Sequence, residues 1–268
     1  MFKPALVFMD LDGTLLDPAG RISPRTRAAV AALLARGVQV ILASGRPPRM
    51  ARWYYAELNL AGPAICYNGA LVTEGPDFGT LWERRMPPPV AAAAVAALRR
   101  EGAKNILVET DDLLAADLDD HWLAVARRED WGLAGDLTLE RALASGAHKL
   151  AAVTPPPGGF DELSRKLRAA LPGLVELVTS TPGADWLEIL PAGAGKAKAA
   201  AELCRRLGFT LSEAAAFGDA ANDADLLAQA GLGVAMGNGD PRVKAAARRV
   251  APPNSEDGLA RTIEEMLA

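Results

Sequence analysis

Two carboxylates end a short apolar run near the start of the chain. Residues 5–9 are apolar and lead directly into Asp10, and Asp12 follows after one residue, with Gly13 next. Carboxylates at this spacing repel one another unless a cation or a proton intervenes. The segment is either a turn with Asp12 and Gly13 as turn residues, or a cation site that carries a reactive carboxylate.

Further loops carry polar groups that suit the second interpretation. These groups are a hydroxyl, backbone amides, carboxylates and one amine. The residues that carry them are Ser44, Gly45, Lys196, Asp219, Asn222 and Asp223. Open α/β sheets bind ligands at the carboxyl ends of their strands, so these groups are expected to meet Asp10 and Asp12. Oxygen ligands without His or Cys favour Mg²⁺. A cation, a lysine and loop amides together suit a phosphate.

Alternating strands and helices are expected to position these loops. The segment "SPRTRAAVAALLARG" predicts a helix with Ser23 as N-cap, Pro24 in the first turn and Gly37 at its end. It lies between two apolar runs, which indicates a βαβ unit and a parallel sheet. The C-terminal third repeats the alternation, with predicted strands in "WLEILP", "EAAAFGD", "LGVAMG" and "VAPP". The predicted fold class is therefore α/β, with a Rossmann-like, doubly wound parallel-sheet core.

The middle of the chain is organised differently. The Pro-rich joints "MPPPV", "VTPPPGGF" and "TSTPG" separate strand-like and helical pieces that form an α+β set. The simplest arrangement is a parallel-sheet core of residues 1–81 and 186–268, interrupted by an inserted α+β cap domain at residues 82–185.

Composition excludes several classes of protein. The chain has 268 residues with 50% apolar and 5% aromatic residues and a net charge of −4. This mildly acidic balance lacks the basic footprint of a nucleic-acid-binding protein. Cys66 and Cys204 stand far apart and predict neither a disulfide framework nor a thiolate metal site. The apolar run at the N-terminus is too short for a signal-peptide core, and the longest alanine-rich run, residues 90–98, has about half the length of a membrane span. We expect a cytoplasmic protein without nucleic-acid or membrane partners.

The order of the motifs points to a known family. "DLDGTLL", "SGR", "GK" and "GDAAND" resemble the haloacid dehalogenase-like phosphatase superfamily. The long insert between the second and third motifs is similar to that of the Cof-type subgroup. Further matches are "ICYNGALV", "LEILPAGAGK", "AGLGVAMGN" and "NSEDGLA". The resemblance covers nearly all of the core, whereas in the insert it rests on length, position and coarse pattern.

The resemblance implies a role for each carboxylate. Asp10 is implied as the nucleophile that forms an aspartyl-phosphate, and Asp12 as the general acid and then the base. The implied Mg²⁺ ligands are the Asp10 carboxylate, the Asp12 backbone carbonyl and Asp219. Since negative charge is in excess, one carboxyl is expected to keep a proton, and we assign it to Asp12 because Asp10 faces the metal.

The resemblance also implies a set of phosphate contacts. These are Leu11, Ser44, Gly45, Lys196 and Asn222. Lys196 is implied to neutralise charge on the transferring group, and Asp223 to support the lysine or the metal without touching the phosphate.

The implied activity is Mg²⁺-dependent hydrolysis of phosphomonoesters of small metabolites. A sugar phosphate, FMN and pyridoxal phosphate are all compatible substrates. A phosphomutase and a non-catalytic phospholigand-binding protein are the alternatives, the second disfavoured because Asp10 and Asp12 are both present. The insert is expected to act as a lid that excludes water and selects the leaving group.

Several other positions have two interpretations. Arg46 is a surface charge or a charge that faces the insert, and it is left outside the predicted site. Asn68 is a turn residue or a substrate contact. Lys198 is an alternative to Lys196 as the lysine of the site, and the position of Lys196 directly after "PAGAG" favours Lys196. Asp17 is interpreted as a turn residue. In the insert, packing is favoured over a pocket or catalytic role for His121, Trp122, Arg127, Trp131 and His148.

Overall fold

The structure is a computed structural model and describes residues 3–154, 159–178 and 186–268. Two of the predicted Pro-rich joints, "VTPPPGGF" and "TSTPG", lie partly or wholly outside these residues. None of the helices in the described ranges is long and apolar enough to cross a bilayer.

The chain divides into two units. Met1–Trp82 and Gly195–Ala268 form the first, and Glu83–Ala194 forms the second. The second unit is thus an insertion between two halves of the first.

The first half of the first unit alternates strands and helices. Its elements are β1 (Leu6–Met9), α1 (Pro24–Ala35), β2 (Gln39–Leu42), α2 (Pro48–Glu57), β3 (Ala64–Cys66), β4 (Leu71–Glu74) and β5 (Gly79–Glu83). Ser23 caps α1, since its side chain accepts a hydrogen bond from the N–H of Thr26 at 3.0 Å. Gly37 follows the helix with a φ of +76°. Both ends of α1 therefore match the sequence prediction.

The second unit contains a five-stranded antiparallel sheet with helices. Its elements are α3 (Pro88–Arg100), β6 (Lys104–Thr110), β7 (Leu113–Asp117), α4 (Asp120–Arg128), α5 (Leu139–Ala144), β8 (Lys149–Thr154), α6 (Gly159–Ala170), β9 (Val175–Val178) and β10 (Leu187–Pro191). The strand order is β7-β6-β8-β10-β9. Residues of α3, α5 and α6 pack with one face of the sheet, to which Val108, Leu150 and Ile189 contribute.

The position of β10 corrects the predicted domain boundary. The sequence analysis placed "WLEILP" in the core, but this strand pairs antiparallel with β8 and β9, with Ile189 opposite both Leu150 and Leu177. Residues 186–194 therefore belong to the inserted unit. A strand followed by a helix has the same sequence pattern in either sheet, so the pattern alone could not assign this strand.

The second half of the first unit completes a parallel sheet. Its elements are α7 (Lys196–Leu207), β11 (Ala214–Gly218), α8 (Ala224–Gln229), β12 (Leu232–Ala235), α9 (Pro241–Ala246), β13 (Arg249–Val250) and α10 (Gly258–Leu267). The order is β13-β12-β11-β1-β2, and every pair is parallel. The predicted fold class, an α/β core with a parallel sheet and an inserted α+β domain, is confirmed.

Strand β1 is an interior strand of this sheet, between β11 and β2. All four of its side chains are fully buried, as a continuous apolar run predicts for a strand covered on both faces. Its last residue, Met9, accepts a hydrogen bond from the N–H of Ala43 at 2.8 Å, and Asp10 donates to the carbonyl of Phe217 at 3.1 Å. The carboxyl end of β1 is therefore held by a neighbour on each side.

Candidate active site

Asp10 stands at the end of β1, where the chain enters a tight turn. Gly13 in that turn has a φ of +77°, a conformation that L side chains rarely adopt. A Cβ atom at Gly13 would lie 2.2 Å from Oδ2 of Asp219. Glycine is therefore required twice, for the backbone conformation and for the close approach of the second carboxylate.

Lys196 opens α7 and is buried among carboxylates. Its Nζ lies 2.6 Å from Oδ1 of Asp10 and 2.6 Å from Oδ1 of Asp223. Burial opposes the charge of this amine, but Asp10 and then Asp223 outweigh it and raise the pKa of Lys196 above its ordinary value. Lys198 is exposed. Of the two lysines, Lys196 is the one that the fold brings to Asp10.

Asp223 connects the lysine to the loop after β11. Its Oδ1 accepts from Lys196, and its Oδ2 accepts from the backbone N–H groups of Asp219 and Ala220, each at 3.1 Å. Both oxygens of Asp223 are therefore engaged within the protein. The side chain orients the amine and fixes the backbone that carries Asp219.

Asp10 and Asp219 retain oxygens that could hold a cation. One oxygen from each of Asp10, Asp219 and Asp223 lies within 4.8 Å of the other two. Thr14 donates to Oδ1 of Asp219 at 3.2 Å. Oδ2 of Asp10 and Oδ2 of Asp219 receive no hydrogen bond from the described residues. Three buried carboxylates face the single amine of Lys196, so the donor set and its charge fit a hard divalent cation.

Burial determines which carboxyls resist ionisation. It raises the pKa of Asp219 to about 7, and the nearby charge of Asp223 adds to the effect. Burial also raises the pKa of Asp10 well above its usual range, although Lys196 opposes this. The sequence analysis expected the retained proton on Asp12. The Asp12 side chain is 55% exposed, and the proton assigned to it stays a prediction.

Ser44 and Gly45 form the loop after β2. Ser44 is 2% exposed, and its Oγ accepts from the N–H of Arg46 at 3.1 Å. Its carbonyl accepts from the N–H of Asn68 at 3.0 Å. A Cβ atom at Gly45 would lie 2.9 Å from Nδ2 of Asn68, so the absence of a side chain allows that amide to pack against the loop.

Asn68 also connects this loop to Asn222. Nδ2 of Asn222 donates to Oδ1 of Asn68 at 2.8 Å. Oδ1 of Asn222 is buried without a hydrogen-bond partner in the described part of the chain. Asn68 is buried and has a φ of +53°, so it is a turn residue whose side chain also bridges two of the predicted phosphate-binding segments.

Two predicted residues of the first loop are placed differently from one another. The Leu11 side chain is fully buried, so only its backbone is available to a phosphate. The Asp12 carboxylate instead meets the guanidinium of Arg46, with Nε 2.7 Å from Oδ2 and Nη2 2.6 Å from Oδ1. Sequence reasoning left Arg46 out of the site. Its position directly after Ser44 and Gly45 was the available signal.

Two asparagines outside the predicted site support the first loop. Nδ2 of Asn238 donates to the carbonyl of Gly13 at 2.8 Å, and Nδ2 of Asn254 donates to the carbonyl of Leu16 at 2.7 Å. The N–H of Asn254 donates to Oδ1 of Asn238 at 2.9 Å. Both residues lie in motifs that the sequence analysis matched to the family without giving them a role.

Asp17 is a turn residue, as the sequence analysis expected. Its Oδ1 accepts from the backbone N–H groups of Ala19 and Arg21, at 2.8 and 3.0 Å. These bonds within the turn lower the pKa of Asp17. The third carboxylate of the opening motif is therefore accounted for by local structure.

Polar and aromatic residues of the insert are largely engaged with one another. Nε2 of His148 lies 2.8 Å from Oε2 of Glu83, and burial lowers the pKa of this histidine. The ring centres of Trp122 and Trp131 are 6.1 Å apart, and those of Trp131 and Trp186 are 5.1 Å apart. These contacts support the packing interpretation of His148 and the two predicted tryptophans.

Known proteins resemble this chain in sequence. A family model described as haloacid dehalogenase-like hydrolase matches residues 7–263. The chain is 31% identical to the 5-amino-6-(5-phospho-D-ribitylamino)uracil phosphatase YitU of Bacillus subtilis, over 98% of this chain and 97% of the relative. It is 32% identical to an HMP-PP phosphatase of Serratia proteamaculans, over 89% and 86% of the two chains.

A solved structure shows the same fold. A haloacid dehalogenase-like hydrolase from Bacteroides thetaiotaomicron superimposes with a TM-score of 0.82 at 28% identity, over 99% of this chain and 100% of the other. The resemblance that the motifs indicated is confirmed over almost the whole chain. This protein belongs to the haloacid dehalogenase-like hydrolases, as a phosphoric monoester hydrolase of the Cof-type subgroup.

Proposed function

We propose that this enzyme is a Mg²⁺-dependent phosphatase that hydrolyses phosphomonoesters of small metabolites through an aspartyl-phosphate on Asp10. The observation that carries the proposal is the placement of Asp10. Its carboxylate follows the interior strand β1, with one oxygen bound to Lys196 at 2.6 Å and the other without a donor among the described residues. A carboxylate held in this way presents an oxygen in a defined direction, as a nucleophile requires.

The first half of the proposed reaction transfers the phosphoryl group to Asp10. A carboxylate oxygen of Asp10 attacks phosphorus, and the bond between phosphorus and the leaving oxygen breaks. Asp12 gives that oxygen a proton. The half-exposed position of Asp12 supports this role, because the carboxyl can reach a substrate atom.

The second half releases phosphate. Water attacks phosphorus, Asp12 takes a proton from the water, and the bond to Asp10 breaks. Asp10 is thereby restored as a carboxylate, and inorganic phosphate leaves.

Groups of the surrounding loops are proposed to hold the phosphate during both halves. Lys196 neutralises charge next to Asp10. The Ser44 hydroxyl, the Gly45 amide and the backbone at Leu11 are candidate donors. Asn222 lies beside them through its bond to Asn68. Asp223 takes no direct part, since both of its oxygens are engaged by Lys196 and by the backbone.

Asp10, Asp219 and the backbone carbonyl of Asp12 are proposed to hold the Mg²⁺. When bound, the ion would screen the repulsion between the nucleophile and the anionic phosphate. The acidic cluster and its oxygen-only donors support a hard cation, and Mg²⁺ is the ion that such a set favours.

The substrate is proposed to be a small phosphorylated metabolite, either a sugar phosphate or a cofactor phosphate such as FMN or pyridoxal phosphate. The names of the two relatives describe phosphatases, not phosphomutases or binding proteins, which supports hydrolysis. A screen of phosphorylated metabolites with Mg²⁺, ranked by kcat/KM, would identify the substrate.

The inserted unit is proposed to select the leaving group. One face of its sheet is covered by helices, and side chains alternate in direction along each strand. The other face carries three buried charged residues, Glu109, Lys149 and Glu188, with Lys149 Nζ 2.9 Å from Glu188 Oε1. Charged groups kept on one face of an inserted domain support a role in recognising a polar leaving group.

Replacing the nucleophile tests the proposed reaction. Asp10→Asn keeps the shape of the side chain but makes it a poor nucleophile, so kcat for para-nitrophenyl phosphate should fall by a factor on the order of 10⁴ or more. Circular dichroism should show an intact fold. Asp17→Asn is the matched control, because it changes a carboxylate in the same loop that has only a turn role. Activity of the Asp10 variant close to that of the wild type would rule the mechanism out.

Metal dependence and phosphate release complete the test. Treatment with EDTA should abolish turnover, and added Mg²⁺ should restore it. Inorganic phosphate should appear in proportion to nitrophenolate, whereas a phosphomutase would retain or transfer the phosphoryl group.

A further inference from the structure

The guanidinium of Arg46 binds the carboxylate of Asp12 through two hydrogen bonds. Nε donates to Oδ2 at 2.7 Å, and Nη2 donates to Oδ1 at 2.6 Å. This bidentate geometry defines the orientation of the carboxylate as well as its position.

Arg46 is itself held by groups other than Asp12. Its N–H donates to Oγ of Ser44 at 3.1 Å, and its carbonyl accepts from the N–H of Tyr67 at 3.1 Å. The guanidinium carbon lies 5.3 Å from the centre of the Tyr54 ring, within the range of a cation–π contact. These contacts fix the position of the Arg46 guanidinium independently of Asp12.

Asp12 has no comparable support elsewhere. Its side chain is 55% exposed, and no other side chain or N–H of the described ranges forms a hydrogen bond with it. Asp10, Asp219 and Asp223, in contrast, are buried and bound by Lys196, Thr14 or backbone groups. The position of the Asp12 carboxylate thus depends on Arg46.

The geometry suits one half of the proposed reaction in particular. A guanidinium that donates to both oxygens matches a carboxylate, not a carboxylic acid. Each carboxylate oxygen has a second lone pair, so Asp12 can accept a proton from water while it stays bound to Arg46. Asp12 must be a carboxylate when it acts as the base in phosphoenzyme hydrolysis.

We propose that Arg46 is the positioning residue for Asp12 in the second half-reaction, where it orients the carboxylate that accepts a proton from the attacking water. This inference rests on the proposed phosphatase mechanism and adds a requirement to it. The water oxygen bonds to phosphorus, one water proton moves to Asp12, and the electron pair of the broken bond returns to the Asp10 oxygen. Arg46 keeps its protons throughout.

The experiment is stopped-flow kinetics of Arg46→Ala with para-nitrophenyl phosphate. Nitrophenolate leaves without needing a proton, so formation of the phosphoenzyme should continue while its hydrolysis slows. We expect kcat to fall by about 10- to 100-fold. KM should fall in parallel, which leaves kcat/KM within about twofold of the wild type, because that ratio reports only the steps up to phosphoenzyme formation. A burst approaching one nitrophenolate per site should precede the slow phase.

Two matched variants separate this role from a structural one. Arg52→Ala removes an exposed arginine of the next helix that lies 5.4 Å from the Phe78 ring, and it should give no burst and an unchanged kcat. Arg46→Lys keeps the positive charge but cannot form the bidentate hydrogen bonds, so its kcat should lie between those of the wild type and Arg46→Ala. If Arg46→Ala folds poorly in a thermal melt, Arg46→Gln provides the same readout with a side chain of similar length.

A double variant tests the connection to Asp12. In an Asp12→Asn background, Arg46→Ala should not slow phosphoenzyme hydrolysis further, because the group that it positions is already lost. A proportional fall of kcat and kcat/KM without a burst, or additive effects in the double variant, would overturn the inference. The proposed function fails separately, if Asp10→Asn retains activity or the wild type forms no phosphoenzyme.

Discussion

A single amine balances two buried carboxylates at the centre of the site. Lys196 has a fully buried side chain and contacts both Asp10 and Asp223 at 2.6 Å. An ion pair of this kind is costly to desolvate, and removing one partner leaves a charge that nothing compensates. The stability of the unit and the ionisation of Asp10, the proposed nucleophile, are therefore linked through the same lysine.

Replacing Lys196 should destabilise the protein in a pH-dependent manner. Lys196→Met should lower the free energy of unfolding by about 3 kcal/mol at neutral pH. Without the amine, the pKa of Asp10 in the folded state rises further above its unfolded value, so the loss should grow as pH increases from 6 to 8. Urea unfolding at both pH values measures it. Lys198→Met, at an exposed position, is the control and should change stability by less than about 0.5 kcal/mol. Equal losses at both pH values would contradict the ion-pair explanation.

Asp219 should make Mg²⁺ binding depend on pH near neutrality. Its pKa of about 7 lies above the ordinary value, so below pH 7 the carboxyl holds a proton that the cation must displace. Because the deprotonated fraction of a group with this pKa falls about fivefold from pH 7 to pH 6, the affinity should weaken by about that factor. Calorimetric titration with Mg²⁺ in buffers of different ionisation enthalpy would count the protons. Asp219→Asn should bind weakly, and an affinity that stays constant from pH 6 to 8 would exclude this role.

At the scale of elements, the site consists of loops that follow parallel strands. Asp10 follows β1, Ser44 follows β2, and Asp219 follows β11. Because β1 pairs with both other strands, the three loops emerge side by side. The loop after β1 turns sharply at Gly13, which lets the carboxylate of the neighbouring loop approach.

A pair of glycine variants should isolate this close approach. Gly13 and Gly20 have nearly equal φ angles of +77° and +73°, but a Cβ at Gly20 would meet nothing within 4 Å. Gly20→Ala should therefore cost only the backbone strain, about 1 kcal/mol. Gly13→Ala should cost about 1–3 kcal/mol more, through the clash with Asp219, and should lower kcat by about 10²-fold. Thermal melts and steady-state kinetics of both variants compare these effects. Indistinguishable variants would refute the steric explanation.

At the scale of the whole molecule, the insertion has its own sheet and its own apolar core. The core includes residues of α3, α5, α6 and the strands β6, β8 and β10. Strand β10 lies between β8 and β9, so among the described strands β9 pairs with β10 alone. The last strand of the insert in sequence is thus an interior strand of the insert in space.

Excised fragments should distinguish the two domain boundaries. A fragment of residues 83–194 contains every strand of the second sheet and should unfold cooperatively. A fragment of residues 82–185 lacks β10, exposes the edge of β8 and leaves β9 unpaired, so it should aggregate or remain partly unfolded. Thermal melts by circular dichroism and two-dimensional NMR spectra would compare them. Equal folding of both fragments would show that β10 is dispensable to the insert.

Much of the fold and the site could be predicted from local patterns. The buried run before Asp10, the cap and stop signals of α1, and the alternation of strands and helices each depend on neighbouring residues, so the sequence shows them directly. Parallel strands place their following loops at one sheet edge, which was sufficient to bring Asp10, Ser44 and Asp219 together as candidates.

Contacts between residues distant in sequence decided the rest. The pairing of Arg46 with Asp12, the bond between Asn68 and Asn222, and the sheet that β10 joins depend on how separate elements meet in space.

The protonation of the carboxyls has the same origin. The sequence by itself determined the candidate residues for the chemistry and the order along the chain of the strands that precede them. Only the tertiary structure decided that Asp10 and Asp219 are the carboxyls whose pKa is raised, because desolvation depends on how deeply packing buries each group, not on its neighbours in the chain.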